Sequence, residues 1–213
     1  HHKTAEADLT ELFEDEQYMD VLDGEFDMNH SGAYLAWKYW HVPEDESEIE
    51  YLTKVPKMVR LVEDRDLWKF KLEDTKAFTA YLFSKEYTFK NWSNIYEVIQ
   101  SGLGFVPTNY IIAGQAILDK HAKDVLELCQ NRFKANIDGH EVWCVNVPYT
   151  LASDCGELLD KDEPFAASFY FNGTNFVYSL RSDENGLDVS EIAKKYSGGG
   201  HKHSAGFTLK ERL

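Results

Sequence analysis

Apolar residues recur at helical spacing through the first part of the chain and change to strand-like alternation in the last part. Ala5, Leu9, Leu12 and Phe13 follow Thr4 and predict a first helix, and Met19–Leu22 reads as a short strand. Ser31 is a good N-cap, after which Ala33, Ala36, Trp37 and Trp40 predict one face of a second helix, with both tryptophans in the core. Pro43 ends it. Pro56 can open another helix, with Val59 and Val62 inward, that delivers Glu63-Asp64-Arg65-Asp66-Leu67-Trp68. Two further helical patterns run from Thr75 to Ser84, on Phe78 and Leu82, and from Trp92 to Ser101, on Ile95, Tyr96 and Ile99. Gly102 to Pro107 breaks the pattern. Tyr110 to Phe133 then reads as a long linker helix through Ile117, His121, Val125, Leu128 and Cys129.

From Phe133 the period is that of strands. Asp138-Gly139 is a hairpin-turn pair between Phe133–Ile137 and Glu141–Val147, and Asn172-Gly173 is a second one between Phe165–Phe171 and Asn175–Ser182. Ser153–Leu159 and Asp188–Tyr196 read as helices, and Phe207–Leu209 as a last strand. Strands interleaved with helices predict a small α/β domain with a mixed sheet.

The length of 213 residues suits one large domain or two small ones, and 43% apolar with 28% charged residues are globular values. A net charge of −15 argues against binding duplex nucleic acid, while leaving room for a short phosphorylated ligand in a local cationic pocket. No apolar run is long enough to span a membrane, and no signal peptide is visible in the residues present. Cys129, Cys144 and Cys155 fall at no metal-ligand spacing; they are expected to be buried free thiols, as in a reducing, cytoplasmic compartment.

The candidate chemistry is concentrated near the end. Ser197-Gly198-Gly199-Gly200-His201 strips side chains from a turn, so that backbone N–H groups of Gly198, Gly199 and Gly200 can approach an anion. His201 can donate to a phosphate oxygen, and Arg181, closing a strand, suits a forked phosphate contact. Lys202 and His203 are expected to face solvent.

The run Ser179-Leu180-Arg181-Ser182, Asp188-Val189-Ser190-Glu191-Ile192-Ala193, Gly198-Gly199-Gly200-His201 and Ala205-Gly206-Phe207 resembles the C-terminal domain of the DHH-superfamily phosphoesterases. His1-His2-Lys3-Thr4-Ala5 is similar to the stretch after the Asp of that family's Asp-His-His signature, although two leading histidines are also characteristic of a purification-tag remnant. Together with Ser31-Gly32-Ala33-Tyr34-Leu35-Ala36-Trp37 and Asp64-Arg65-Asp66-Leu67-Trp68, these motifs look like the nano-RNase B or cyclic-nucleotide phosphodiesterase-like group.

The resemblance implies an α/β protein of two domains. Residues 1–106 would be the C-terminal portion of a parallel-sheet, helix-rich catalytic domain, 107–132 a linker helix, and 133–213 the DHH-associated substrate-binding domain. It implies a metal-dependent hydrolase acting on phosphodiesters of short single-stranded RNA or small nucleotides, with two divalent ions, manganese first and magnesium second. His1 and Asp64 would be metal ligands, His2 and His201 catalytic, and Arg181, Gly198, Gly199, Gly200 and His201 substrate-binding. Asp64 is preferred to Asp66, and Arg65 serves equally as an ion-pair partner for either. The signature Asp would lie before His1, so the chain as numbered is expected to bind catalytic metal weakly and to be inactive. An exopolyphosphatase or pyrophosphatase-like activity and a non-catalytic nucleotide- or RNA-binding module are the alternatives. The preferred nucleotide and homodimer formation are left open.

Overall fold

A computed structural model describes residues 9–10, 24, 26–41, 54–102 and 104–213. The chain divides into two compact units, His1–Asp119 and Lys120–Leu213. Among the described residues the first unit is helical, with α1 (Gly32–His41), α2 (Lys57–Asp66), α3 (Thr75–Phe83), α4 (Phe89–Ser101) and the start of α5 (Thr108–Cys129). The division falls inside α5, within the predicted linker helix. The strand predicted at Met19–Leu22 lies outside the described residues, as does most of the first predicted helix.

The Ser31 hydroxyl accepts from Tyr34 N at 3.1 Å and caps α1 as predicted. The inward face differs: Tyr34 is buried, whereas Trp40 is 78% exposed and Trp37 only half-buried. Tyr34 stacks on His30 with ring centroids 4.0 Å apart, and Trp40, six residues on and about 120° round the helix from it, faces outward. In α2 the buried apolar residues are Met58 and Leu61, one position from the predicted Val59 and Val62, which are half-buried. They join Phe78 and Leu82 of α3 and Ile95 and Ile99 of α4 in one core. Each such side chain removed from water contributes about 1.5–3 kcal/mol. Gly114 lets α5 approach α3 closely, since a Cβ there would lie 1.8 Å from the Ala77 carbonyl oxygen.

The second unit is a six-stranded mixed sheet in the order β1-β2-β3-β4-β6-β5. Its strands are β1 (Phe133–Ile137), β2 (His140–Asn146), β3 (Ala166–Phe171), β4 (Phe176–Arg181), β5 (Gly199–His201) and β6 (Ser204–Leu209). Among these described strands only β2 and β3 pair in parallel, joined by a 3-10 turn at Tyr149–Leu151 and α6 (Ala152–Leu159). The Asp138-Gly139 turn has φ of 55° and 85°, the doubly positive backbone that a tight hairpin demands. In the second hairpin, Asn172 Oδ1 accepts from Thr174 N and Asn175 N at 3.0 and 2.9 Å.

Alternation along the strands sends side chains to two covered faces. Leu180, Tyr178, Ala205 and Phe207 pack with Ile192 and Ala193 of α7 (Val189–Lys195) on one face. Val145, Val147 and Ala166 pack with Cys155 and Leu159 of α6 and Val125 of α5 on the other. The mixed α/β class expected from the sequence is the one observed. All three cysteines are buried and unpaired, and burial pushes the Cys144 and Cys155 thiols up to about 12. Among the described residues no helix is long and apolar enough to cross a membrane.

Candidate functional site

Arg181 ends β4 on the α6 face of the sheet. Its aliphatic stem lies on Gly156 of α6, where a Cβ would come 2.6 Å from Arg181 Cγ. That approach delivers Nη2 to the Ser153 hydroxyl at 2.8 Å, while Nη1 donates to the Leu180 carbonyl at 2.8 Å. Burial pulls the guanidinium below its ordinary value, and the charge of nearby Asp154 works against that shift. A guanidinium so held stays protonated and keeps N–H donors beyond the two bonds it makes. Among the described residues it has no carboxylate within ion-pair distance, which is unusual for a half-buried arginine.

The sheet register aligns the other predicted residues with it. Arg181 pairs with Ser204 of β6, and Ser204 pairs with His201 of β5. Directly opposed residues share a face, so Arg181, Ser204 and His201 form one row across three strands. At the usual strand separation the ends of that row are roughly 10 Å apart at Cα. The neighbouring row on the same face is Ser179, Gly206 and Gly199, all small. His201 lies on the edge strand, exposed, with no hydrogen bond to its ring among the described residues.

The glycine triplet is divided between tasks, and it is not the loop expected from the sequence. Gly199 to His201 form β5, an edge strand. Helix α7 opens on Asp188, whose carboxylate accepts from Ser190 N at 3.0 Å. It ends with Ser197 at φ 61°, Ser197 N donating to Lys194 O and Gly198 N to Ala193 O. This is a Schellman closure, so the Gly198 N–H is spent inside the protein and cannot serve an anion as predicted. A Cβ on Gly198 would lie 2.1 Å from the Gly206 carbonyl oxygen, and Gly200 has φ 146° with Ala205 Cα at 2.5 Å from such an atom. Around Gly199 there is open space. Gly198 and Gly200 are therefore required by packing, and Gly199 is the glycine with an open approach.

The turn after His201 is tied down. Val189 N donates to Lys202 O at 2.8 Å and Ser182 N to His203 O at 3.3 Å. The Ser182 hydroxyl donates to Leu187 O at 2.8 Å and so accepts from His203 Nδ1 at 3.2 Å. His203 is thus a half-buried anchor of the turn, in contrast to the solvent-facing residue expected; Lys202 is exposed.

His1 and His2 lie outside the described residues. Asp64 lies in the last turn of α2 and is 6% exposed. Its Oδ1 accepts from Lys71 N at 2.9 Å, and its Oδ2 from Leu72 N at 3.0 Å and Thr75 Oγ at 2.5 Å. Burial alone would push this carboxyl up; the Thr75, Leu72 and Lys71 donors and the charge of Lys69 outweigh it and hold it below its ordinary range. Three protein donors hold this carboxylate and make Asp64 an anchor of the following turn. Asp66 is exposed. Among the described residues no three His, Cys, Asp or Glu side chains come together in a way that could hold a metal ion. The predicted ligand His1 lies outside those residues.

Several residues of these arrangements carry no motif. Glu63 accepts from Ser31 N at 3.1 Å and lies 3.3 Å from His30 Nδ1, tying α1 to α2. Ser153, Ser204, His121 and Asp154 are brought to the second unit's site only by the fold. Gly156 had a signal: a glycine inside a helix costs stability and marks a close approach.

The DHHA1 domain model matches residues 150–213. Uncharacterized protein R106 of Acanthamoeba polyphaga mimivirus is 27% identical over 220 residues, covering 98% of this chain and 46% of that protein. The chain thus spans about half the length of that curated relative. Among solved structures, a pGpG-specific phosphodiesterase, PggH, from Vibrio cholerae aligns with TM-score 0.49 and 13% identity, over 84% of this chain and 67% of that one. An uncharacterized protein from Helicobacter pylori G27 aligns with TM-score 0.36 and 15% identity, over 94% and 67%. The Arg181–Ser204–His201 row lies wholly inside the matched segment. The resemblance read from the closing motifs is thus matched over residues 150–213, the segment similar to the DHHA1 domain.

Proposed function

We propose that the second unit binds a phosphate group of a short oligoribonucleotide or small nucleotide, and that the protein to which this chain belongs is a phosphoesterase that hydrolyses such a substrate. The observation that carries the reading is Arg181: a half-buried guanidinium, braced by Ser153, without a carboxylate partner among the described residues, in one row with Ser204 and His201. Arg181 takes two phosphate oxygens with its fork, and Ser204 and His201 donate to the same group or its neighbour. A hydrogen-bonded cation next to developing negative charge also favours a phosphoryl transition state. The net charge of −15 favours a short ligand, because a long polyanion would be repelled by the remaining surface. The manganese or magnesium dependence implied by the family resemblance would draw on His1, which lies outside the described residues.

The test is calorimetric titration of the full chain with AMP. Arg181→Ala and His201→Ala are expected to weaken binding by about 1–3 kcal/mol each. Wild-type affinity in both variants would remove the assignment. Incubating the full-length protein with a diribonucleotide and with polyphosphate then reads the reaction: released mononucleotide supports the proposal, and phosphate release from polyphosphate alone moves it to the exopolyphosphatase alternative.

A further inference from the structure

His121 on α5 and Asp154 on α6 are 33 residues apart, and no motif joins them. The fold brings His121 Nε2 to 3.0 Å from Asp154 Oδ2. A carboxylate can only accept, so Nε2 carries the proton of this bond. Asp154 directly follows Ser153, the residue whose hydroxyl braces Arg181 Nη2. Its charge acts on Arg181, yet the two are not ion-paired. A carboxylate at this place on a helix would ordinarily close on a neighbouring guanidinium in a forked pair, the geometry a phosphate would need. Here the carboxylate is drawn instead to the imidazole.

We propose that His121 is a positioning residue: by engaging the Asp154 carboxylate it keeps the Arg181 guanidinium available to a nucleotide phosphate. The inference rests on the reading of Arg181 as the phosphate-binding group. It explains how an acidic residue can sit beside an anion site without occupying it. Asp154 remains near enough to add negative charge, so release from His121 converts it from bystander to competitor.

The experiment titrates the full chain with AMP and compares Arg181→Ala, His121→Ala, His121→Gln, Asp154→Asn and the double variant His121→Ala/Asp154→Asn. His121→Ala is expected to bind about five- to tenfold more weakly, the scale of one partly exposed ion pair formed in competition. The Gln amide can still donate to Asp154, so His121→Gln stays near wild type. The double variant is expected to return to within about twofold of wild type, because the competing charge is gone. Unchanged binding by His121→Ala, or a loss that Asp154→Asn does not restore, overturns the proposal in favour of a packing role. If Arg181→Ala itself binds AMP like wild type, the parent assignment falls and this one with it. Weakened Arg181→Ala binding beside either overturning result confines the failure to His121.

Discussion

Replacing Asp64 by Asn separates a structural carboxylate from a metal ligand. The carboxylate accepts from Lys71 N, Leu72 N and Thr75 Oγ, and the Asp64 carbonyl accepts from Lys69 N and Phe70 N at 2.8 and 3.2 Å. The turn it templates holds Trp68 at φ 54° and Phe70 at φ 46°, a conformation bulky residues adopt only when their surroundings impose it. With its oxygen in place of Oδ2, Asn keeps the Leu72 and Thr75 bonds without their charge and turns its NH2 toward Lys71 N, so the variant loses one charge-assisted bond of about 1.5–3 kcal/mol and weakens two others by about 1 kcal/mol each. The expected loss is about 3–5 kcal/mol, or a fall in Tm of about 10–15 °C for a unit of this size. Thermal and urea unfolding of the full chain, with and without Mn2+, provide the measurement.

The pH dependence has a definite sign. The folded carboxyl lies below its ordinary value of 3.8, so its contribution is fully present above that value and is lost as pH falls through the folded one. The gap between wild type and Asp64→Asn should therefore be full at neutral pH and close as the solution becomes more acidic than about pH 4. A variant within about 1 kcal/mol of wild type would refute the structural reasoning. So would Mn2+ stabilisation of wild type that vanishes in the variant, since that is the behaviour of a ligand.

Two further outcomes are expected of the second unit. Gly198→Ala should destabilise it by about 2 kcal/mol, because the new Cβ meets the Gly206 carbonyl at 2.1 Å, whereas Gly199→Ala should leave its unfolding unchanged and weaken AMP binding; denaturant titration and calorimetry on the same pair of variants read both. Cys144 and Cys155, held at about 12 by burial, should react with a disulfide reagent at neutral pH only as fast as the unit unfolds, which progress curves with and without denaturant would show.

Where local chemistry decides the backbone, the fold was legible. Asp138-Gly139 needed two positive φ angles, and that pair takes them; Asp188 needed a following N–H to cap, and Ser190 supplies it. Helix faces were less legible because aromatic residues satisfy either side of a helix at an edge of a core. Trp40 matches the apolar period of α1, yet Tyr34, stacked on His30, is the residue of that helix that is buried. The pairings Arg181–Ser153, His121–Asp154 and Asp64–Thr75 join different elements, so they become visible only when helices are set on their neighbours.

In the glycine triplet the fold gives each residue other work than the sequence suggests. Consecutive glycines suggested a backbone cradle, but a cradle requires N–H groups that the fold has not already used. The Gly198 N–H closes α7 on Ala193, and Gly200 is demanded by the close crossing at Ala205. Ser197 takes the left-handed position that a glycine usually fills, so the triplet is not consumed in ending the helix. Its effect is to let a thin edge strand lie against β6, and that pairing sets His201 opposite Ser204 and in register with Arg181. The proposed recognition of a phosphate would then depend chiefly on side chains placed by register. A substitution that shifts β5 by one residue should thus abolish the row while leaving every proposed ligand-binding residue present, because a one-residue slip turns His201 to the opposite face.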